Sequence, residues 1–239
     1  PQQLVSLLNE YLSEMTDILL RYEGTVDKYE GDAIIAFFGA PLAFEDHPAR
    51  VCLAAIDMKR RLAELREEWG KKGTFQLKVR MGINTGDAVV GNMGSRQRMD
   101  YTMMGDAVNL ASRLEGANKY YNTYTMISET TYDSVKDVVD ARELDLIRVI
   151  GKEQPIKVYE LLGTKGNLPD YMYDMLKKYN EGLQLFRDRQ WDEAISAFRA
   201  GLRIVSDDGP CYKYIERCKE FLKNPPPKKW DGVYRLTTK

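Results

Sequence analysis

The sequence predicts an α+β fold, a helix-covered mixed sheet followed by a small all-α C-terminal extension. Three observations predict it. Strand-like and helical stretches are interleaved through roughly the first two thirds of the 239 residues, a pattern that argues a sheet with helices packed on it. After Gly163 the pattern becomes wholly helical. A content of 44% hydrophobic and 30% charged residues supplies a globular chain with a real core.

Taken in order, Leu4, Leu8, Tyr11, Leu12, Met15, Ile18 and Leu19 recur at helical spacing, and Glu23-Gly24 ends that helix. Residues 25–29 and 32–38 read as two strands joined through Glu30-Gly31, a tight hairpin. Asp46 or His47, ahead of Pro48, caps a helix that runs to Trp69 and stops at Gly70. Residues 75–83 read as a strand, residues 86–91 turn into another, 94–98 form a polar loop and 100–104 a short strand. Asp106 is expected to cap a helix over residues 107–120. A strand at 125–128, a short helix at 129–137, and strands at 141–149 and 156–162 complete the mixed sheet.

This divides the chain into a first domain over residues 1–163, a linker at 164–169, helices over 170–224 and an extended basic tail over 225–239 opened by three prolines. Within the helices, Gly182, Leu185, Trp191, Ala194, Phe198 and Gly201 carry the spacing of one tetratricopeptide helix pair. One repeat is too few for an independent peptide groove, so the pair is expected to pack on the first domain or to assist dimerisation.

The formal net charge of −1 excludes a global field that would steer the chain onto nucleic acid or anionic lipid. Cys52, Cys211 and Cys218 are too few and too scattered for a disulfide framework or a zinc site. They and the lack of a signal peptide point to a reducing, cytoplasmic setting, with membrane anchoring of a longer parent left open. The chain opens at Pro1 directly into a helix, which reads as a fragment of something longer.

Three motifs carry chemistry. The first is Val26-Asp27-Lys28-Tyr29-Glu30-Gly31-Asp32-Ala33-Ile34. The second runs from Met99-Asp100-Tyr101-Thr102 through Gly105-Asp106-Ala107-Val108-Asn109 to Arg113-Leu114-Glu115. The third is Gly151-Lys152 ahead of Pro155 and Val158-Tyr159-Glu160-Leu161. In this order they resemble the substrate hairpin, the strand-into-helix signature and the closing phosphate loop of class III adenylate cyclases, over residues 1 to about 163.

The resemblance implies a ferredoxin-like core and a head-to-tail homodimer in which each site takes residues from both copies. It implies the reaction as well: the ribose 3′-hydroxyl of ATP attacks the α-phosphate in line, pyrophosphate leaves, and two Mg2+ or Mn2+ ions clamp the attacking and leaving oxygens. Asp32 matches a metal-binding aspartate, a hard oxygen donor suited to magnesium. Lys28 matches the lysine that reads the purine. Its ammonium only donates, which suits adenine N1, an acceptor, and opposes the protonated N1 of guanine. Guanylate cyclases of the family usually carry an acid there. Thr102 matches the partner position, where a hydroxyl accepts from the adenine 6-amino group; threonine here resembles the subgroup that includes bicarbonate-responsive cyclases.

Asn109 and Arg113, four apart, project from one helix face. In the family the asparagine orients the ribose and the arginine stabilises charge building on the α-phosphate, for which a rigid, permanently charged fork is suited. The bland alternative for Arg113 is a surface pair with Glu115 or Glu129. Lys152 matches the lysine that holds the terminal phosphates, although Ile150 stands where a second lysine is common. Asp106 is assigned no chemistry, and Arg96 and Arg98 fall on a hairpin tip, solvated or against a partner copy.

A two-metal site needs a second carboxylate, which the family places on a strand upstream of the first helix. Asp17 faces along a helix, and strict alternation puts Asp27 on the opposite face from Lys28, so neither replaces it. The expectation is that the first core strand is absent, that these residues alone are inactive and that activity belongs to a longer parent with its own regulatory domain. The competing readings are a guanylate cyclase, disfavoured by Lys28, and a catalytically silent dimerisation or nucleotide-sensing module, disfavoured because pure binding does not need transition-state groups such as Arg113 and Asn109.

Overall fold

A computed structural model describes residues 2–71, 73, 77–148 and 154–235. The chain begins with α1 (Gln2–Arg21), whose apolar stripe Leu7, Tyr11, Met15, Ile18 and Leu19 is buried. The hairpin β1 (Thr25–Glu30) and β2 (Ala33–Phe37) follows, and then α2 (His47–Lys71). Next come β3 (Met81–Ile83), β4 (Val89–Gly94), β5 (Met99–Met104) and α3 (Asp106–Tyr121). The first part closes with β6 (Thr125–Ser128), α4 (Glu129–Val135), β7 (Val139–Arg148) and β8 (Ile156–Thr164). Three helices, α5 (Asp170–Arg187), α6 (Trp191–Ile204) and α7 (Gly209–Lys223), lead to a two-residue strand β9 (Tyr234–Arg235).

The main sheet has the order β3-β6-β8-β7-β9, with β3 parallel to β6, β9 parallel to β7 and the remaining pairs antiparallel. Its two faces bury different sets because successive strand residues point to opposite sides. Met126 and Val158 pack under Leu110, Leu114 and Tyr121 of α3. Their neighbours Ile127 and Tyr159 pack with Cys52 and Ala55 of α2 and Val135 of α4. The hairpins β1–β2 and β4–β5 form two separate two-stranded sheets. Ile34 and Ala36 of β2, and Leu77, Val79 and Met81 leading into β3, nevertheless share one apolar cluster on α1 and α2. The β1–β2 hairpin and the start of β3 thus cover the same helical layer without a ladder between them.

Residues 77–80 correct the expected long strand at 75–83. They carry the right alternation, but only Met81–Ile83 finds a hydrogen-bonding neighbour. The tail is not uniformly extended: it turns at residues 228–229, where Trp230 N donates to Pro227 O at 3.0 Å, before Tyr234 and Arg235 add to β7 and Tyr234 stacks on Tyr120 at 4.3 Å. Among the described residues no helix is long and apolar enough to cross a membrane. The three cysteines are free and buried, and burial pushes the Cys52 thiol up to about 12.

The helices α5–α7 enclose their own core around Tyr179, Phe186, Phe198 and Tyr214 and are fastened to β7 by charge. Arg217 of α7 pairs with Asp145, which also accepts from Tyr121 at 2.8 Å. Tyr214 donates to the Leu144 carbonyl at 2.6 Å.

Helix α3 is held on β3 by the lack of a side chain at Gly82. A Cβ there would stand 2.1 Å from the Ala111 oxygen and 2.3 Å from the Glu115 nitrogen, both backbone atoms. The buried Asn118 amide reinforces the contact, donating to Met81 O at 2.9 Å and Leu114 O at 3.0 Å. Gly82→Ala is expected to lower stability by about 1–3 kcal/mol, because the helix has to move away from the strand. A urea titration should show a lower midpoint at unchanged slope. An unaltered midpoint would contradict the close contact.

Candidate active site

The hairpin that carries the first motif is irregular. The register runs from Val26 opposite Ala36 to Lys28 opposite Ile35, so Asp27 is an extra residue without a partner, a β-bulge. Strict alternation therefore fails at this point, and the expectation that Asp27 faces away from Lys28 is corrected: Lys28 Nζ lies 3.8 Å from Asp27 Oδ1. The Asp27 side chain is 3% exposed, against 44% for Lys28. Thr102 of β5, opposite Gly91 of β4, donates its hydroxyl to Asp27 Oδ2 at 2.6 Å. Phe37 and Tyr101 meet beside this bond with ring centroids 6.1 Å apart. Lys28 and Thr102, singled out separately in the sequence, thus converge on one buried carboxylate.

Asp32 lies in the turn between β1 and β2, after Gly31 at φ 66°, and is exposed. The turn is Gly31-Asp32, one residue later than the sequence pattern suggested, which puts Asp32 at the hairpin tip and not in a strand. The tip leans on α1. Tyr29 and Thr16 share a hydrogen bond of 2.8 Å, and burial, with the Asp32 carboxylate adding to it, pushes the Tyr11 phenol up to about 12.

Asn109 and Arg113 stand one turn apart on α3, the first exposed and the second half-buried. The helix cap differs from expectation. Its N-cap is Gly105, at φ 152° and ψ 167°, and no side chain caps it; Asp106 is the first helical residue, exposed in the first turn. There its charge complements the helix dipole without a capping bond. Asn84 ties the start of α3 down by donating to Ala107 O at 3.0 Å. Among the described residues Arg113 has no ion-pair partner. Glu129 instead meets Lys157 at 3.6 Å, so the surface-pair alternative for Arg113 is not realised. Lys152, with Gly151 and Ile150, lies outside the described residues. At the β4–β5 tip Arg98 is 3.6 Å from Asp100 and 84% exposed.

The chain thus gathers Lys28, Thr102 and Asp27 into one cluster, and Asn109 with Arg113 into another. Among the described residues no hydrogen bond or ion pair joins the two clusters or links either to Asp32. Two surface concavities, of about 480 and 370 Å³, lie along α7 and between β7 and α5, and include none of these residues.

Divalent ions of the magnesium type keep water and substrate phosphates in their shell and take one or two protein carboxylates. The exposed Asp32 fits one such ligand. Asp17 is exposed on α1, and Asp27 is committed to Thr102. Among the described residues no group of three or more His, Cys, Asp and Glu side chains could hold an ion. These residues fit one protein ligand and do not complete a two-ion clamp.

Asp27 is the member of this cluster that strict alternation hides in the sequence. Aspartate is depleted in strands, so one inside an otherwise strand-like run was the available signal.

A family model described as the adenylate and guanylate cyclase catalytic domain matches residues 1–163. Adenylate cyclase 1 of Rhizobium meliloti (strain 1021) is 35% identical over 164 residues, covering 69% of this chain and 25% of the relative. The terminal-differentiation-specific adenylate cyclase of Dictyostelium discoideum is 31% identical over 225 residues, covering 92% of this chain and 10% of the relative, so that similarity extends into the C-terminal helices. The chain therefore spans a quarter or less of these two curated relatives. Among solved structures, the adenylyl cyclase CyaB from P. aeruginosa is similar at TM-score 0.65 and 38% identity, covering 71% of this chain and 87% of that one. The guanylyl cyclase Cya2 is similar at TM-score 0.62 and 32% identity, with 70% and 84% covered.

Proposed function

The chain belongs to the adenylate and guanylate cyclase catalytic domain family, and from that premise we propose that it serves as the catalytic domain of a protein that forms 3′,5′-cyclic AMP and pyrophosphate from ATP. The similar structures include cyclases for either purine, so family membership does not choose the base. The observation that carries the choice is the meeting of Lys28 and Thr102 on Asp27. A donor-only ammonium beside a hydroxyl whose proton is already engaged offers adenine a donor for N1 and an acceptor for its 6-amino group. Guanine, with N1–H and a 6-oxo group, meets donor against donor and acceptor against acceptor.

In this reading the ribose 3′-hydroxyl gives up its proton to water and its oxygen bonds to the α-phosphorus, while the bond from that phosphorus to the bridging oxygen breaks and pyrophosphate leaves with the electron pair. Arg113, half-buried and uncommitted, meets the charge that builds on the α-phosphate oxygens. Asn109, one turn away, orients the ribose, and Lys152 holds the terminal phosphates. A divalent ion, when bound, supplies charge neutralisation at the phosphates, with Asp32 as one of its ligands. A catalytically silent role is disfavoured by Arg113, a cation with no ion-pair partner among the described residues, which binding alone does not require.

The site is proposed to complete itself in a homodimer. The apolar residues Val89, Met99, Tyr101 and Met104 on β4–β5 and Tyr29 on β1 are exposed beside the Lys28–Thr102 cluster. Such a patch next to an open site suits a second copy. The β1–β2 hairpin and β3 share one helical layer with no ladder between them, and a further strand between them is the place proposed for the second carboxylate. The C-terminal helices, in which a Cβ on Gly182 would stand 2.8 Å from the Phe198 ring, are proposed to form a tetratricopeptide-like pair that braces the sheet. Thr102 favours the threonine-bearing subgroup.

The test is base selection. Lys28→Glu combined with Thr102→Cys is expected to raise the GTP-to-ATP ratio of kcat/KM at least tenfold, since each mismatched polar contact costs about 1–3 kcal/mol. A ratio that stays put rules out this account of purine choice.

A further inference from the structure

We infer that Asp27 is a positioning residue that fixes purine selectivity, by taking the Thr102 hydroxyl proton and so leaving Thr102 an acceptor toward the purine 6-position. The inference rests on the purine-reading roles given to Lys28 and Thr102 above.

A threonine hydroxyl is ambivalent, with one proton to donate and two lone pairs to accept. Left free, it would rotate to donate to a 6-oxo group as readily as it accepts from a 6-amino group, and would distinguish adenine from guanine poorly. An ionised carboxylate can only accept. The 2.6 Å contact from Thr102 Oγ1 to Asp27 Oδ2 has the length of a charge-assisted O–H···O⁻ bond. The proton therefore points at Asp27, and the Thr102 lone pairs point elsewhere.

Three features keep that orientation fixed. At 3% side-chain exposure, Asp27 is not supplied with a competing donor by bulk water. The bulge is what turns it inward, since a regular strand would place it on the face away from Lys28. Its second oxygen, Oδ1, is buried and has no hydrogen-bond partner among the described residues. Lys28 Nζ at 3.8 Å offsets the buried charge from beyond hydrogen-bond length, so no lysine donor is spent on the carboxylate. Asp27 thus orients one purine-reading group and holds the other near without consuming it.

The experiment compares kcat/KM for ATP and GTP in the intact protein. Asp27→Asn substitutes a side chain that can itself donate to Thr102 Oγ1, freeing the hydroxyl proton to face the base. The ATP-to-GTP preference is expected to fall about tenfold, with the loss for ATP mainly in KM. A merely structural Asp27 would lower both substrates together and leave the preference unchanged, which would overturn the inference. Thr102→Val closes the cycle: in that background Asp27→Asn should no longer move the preference, and a persisting shift would also overturn it.

Should Asp27→Asn fail to fold, the unaltered protein gives the same answer with 6-methoxypurine riboside triphosphate. That analogue keeps N1 as an acceptor for Lys28 but presents only an acceptor at the 6-position. Discrimination against it of about tenfold or more supports a fixed acceptor at Thr102; turnover equal to ATP overturns it. If the Lys28→Glu, Thr102→Cys variant shifts base preference and Asp27→Asn does not, this inference fails and the purine-reading roles stand. If neither shifts it, both fail.

Discussion

Arg142→Ala is expected to destabilise the protein by about 3–5 kcal/mol, because it strands two buried carboxylates that the guanidinium now pairs. Arg142 lies on β7 with its side chain 4% exposed. Its Nη2 is 2.6 Å from Glu160 of the neighbouring strand β8, and its Nη1 is 2.7 Å from Asp208. Asp208 caps α7 as well, accepting from the Cys211 amide at 2.9 Å, and the guanidinium sits 4.9 Å from the Tyr179 ring centroid. Burial opposes the arginine's charge, yet Glu160 and Asp208 raise its pKa well above the ordinary arginine value. One side chain therefore joins two strands of the catalytic sheet to the C-terminal helices. For a chain of this size the melting temperature should fall on the order of 10 °C. The mechanism makes a second claim. Replacing Arg142, Glu160 and Asp208 together by apolar residues of similar volume should recover most of the loss, since the cost is that of unpaired charge. A single substitution costing less than about 1 kcal/mol would show that the triad is not the joint described here.

That joint was not legible in the sequence, and the reason is physical. The periodicity that marks a helix reports which face is buried, and it located α1, α3 and the C-terminal helices well. It does not report which charged residue, 18 positions away as Glu160 is from Arg142 or far beyond that as Asp208 is, will be buried with which partner. The same limit applies at the site. Lys28, Thr102, Asn109 and Arg113 each sit in a motif and are proposed from it, but Asp27 is hidden by an alternation rule that a one-residue bulge cancels. The Asp106 cap was misplaced by one residue because Gly105 can take a backbone conformation that makes it the N-cap itself. The strand at 75–83 was read too long because alternation signals a two-faced ribbon, whereas a strand exists only where a neighbour completes its hydrogen bonds. Residues 77–80 have the pattern without the neighbour.

Arg113→Ala is expected to lower kcat by about 10²–10³, the loss that follows removal of one group aimed at transition-state charge, while KM for ATP changes only a few-fold. Arg113→Lys should recover only part of it, because an ammonium cannot present the rigid fork that meets two phosphate oxygens at once. Geometry sharpens this prediction. Within one chain no hydrogen bond or ion pair ties Arg113 to Asp32, and the proposed homodimer puts Asp32 of one copy opposite Arg113 of the other. Two inactive variants, Arg113→Ala and Asp32→Ala, should then complement each other. In a mixed dimer one site receives both substitutions and the other receives neither, so an intact site is rebuilt. With random pairing half the dimers are mixed and each has one working site of two, so equal co-expression should restore about a quarter of the unaltered activity. If each site drew Asp32 and Arg113 from the same chain, every site in the mixture would carry one defect and mixing would restore nothing.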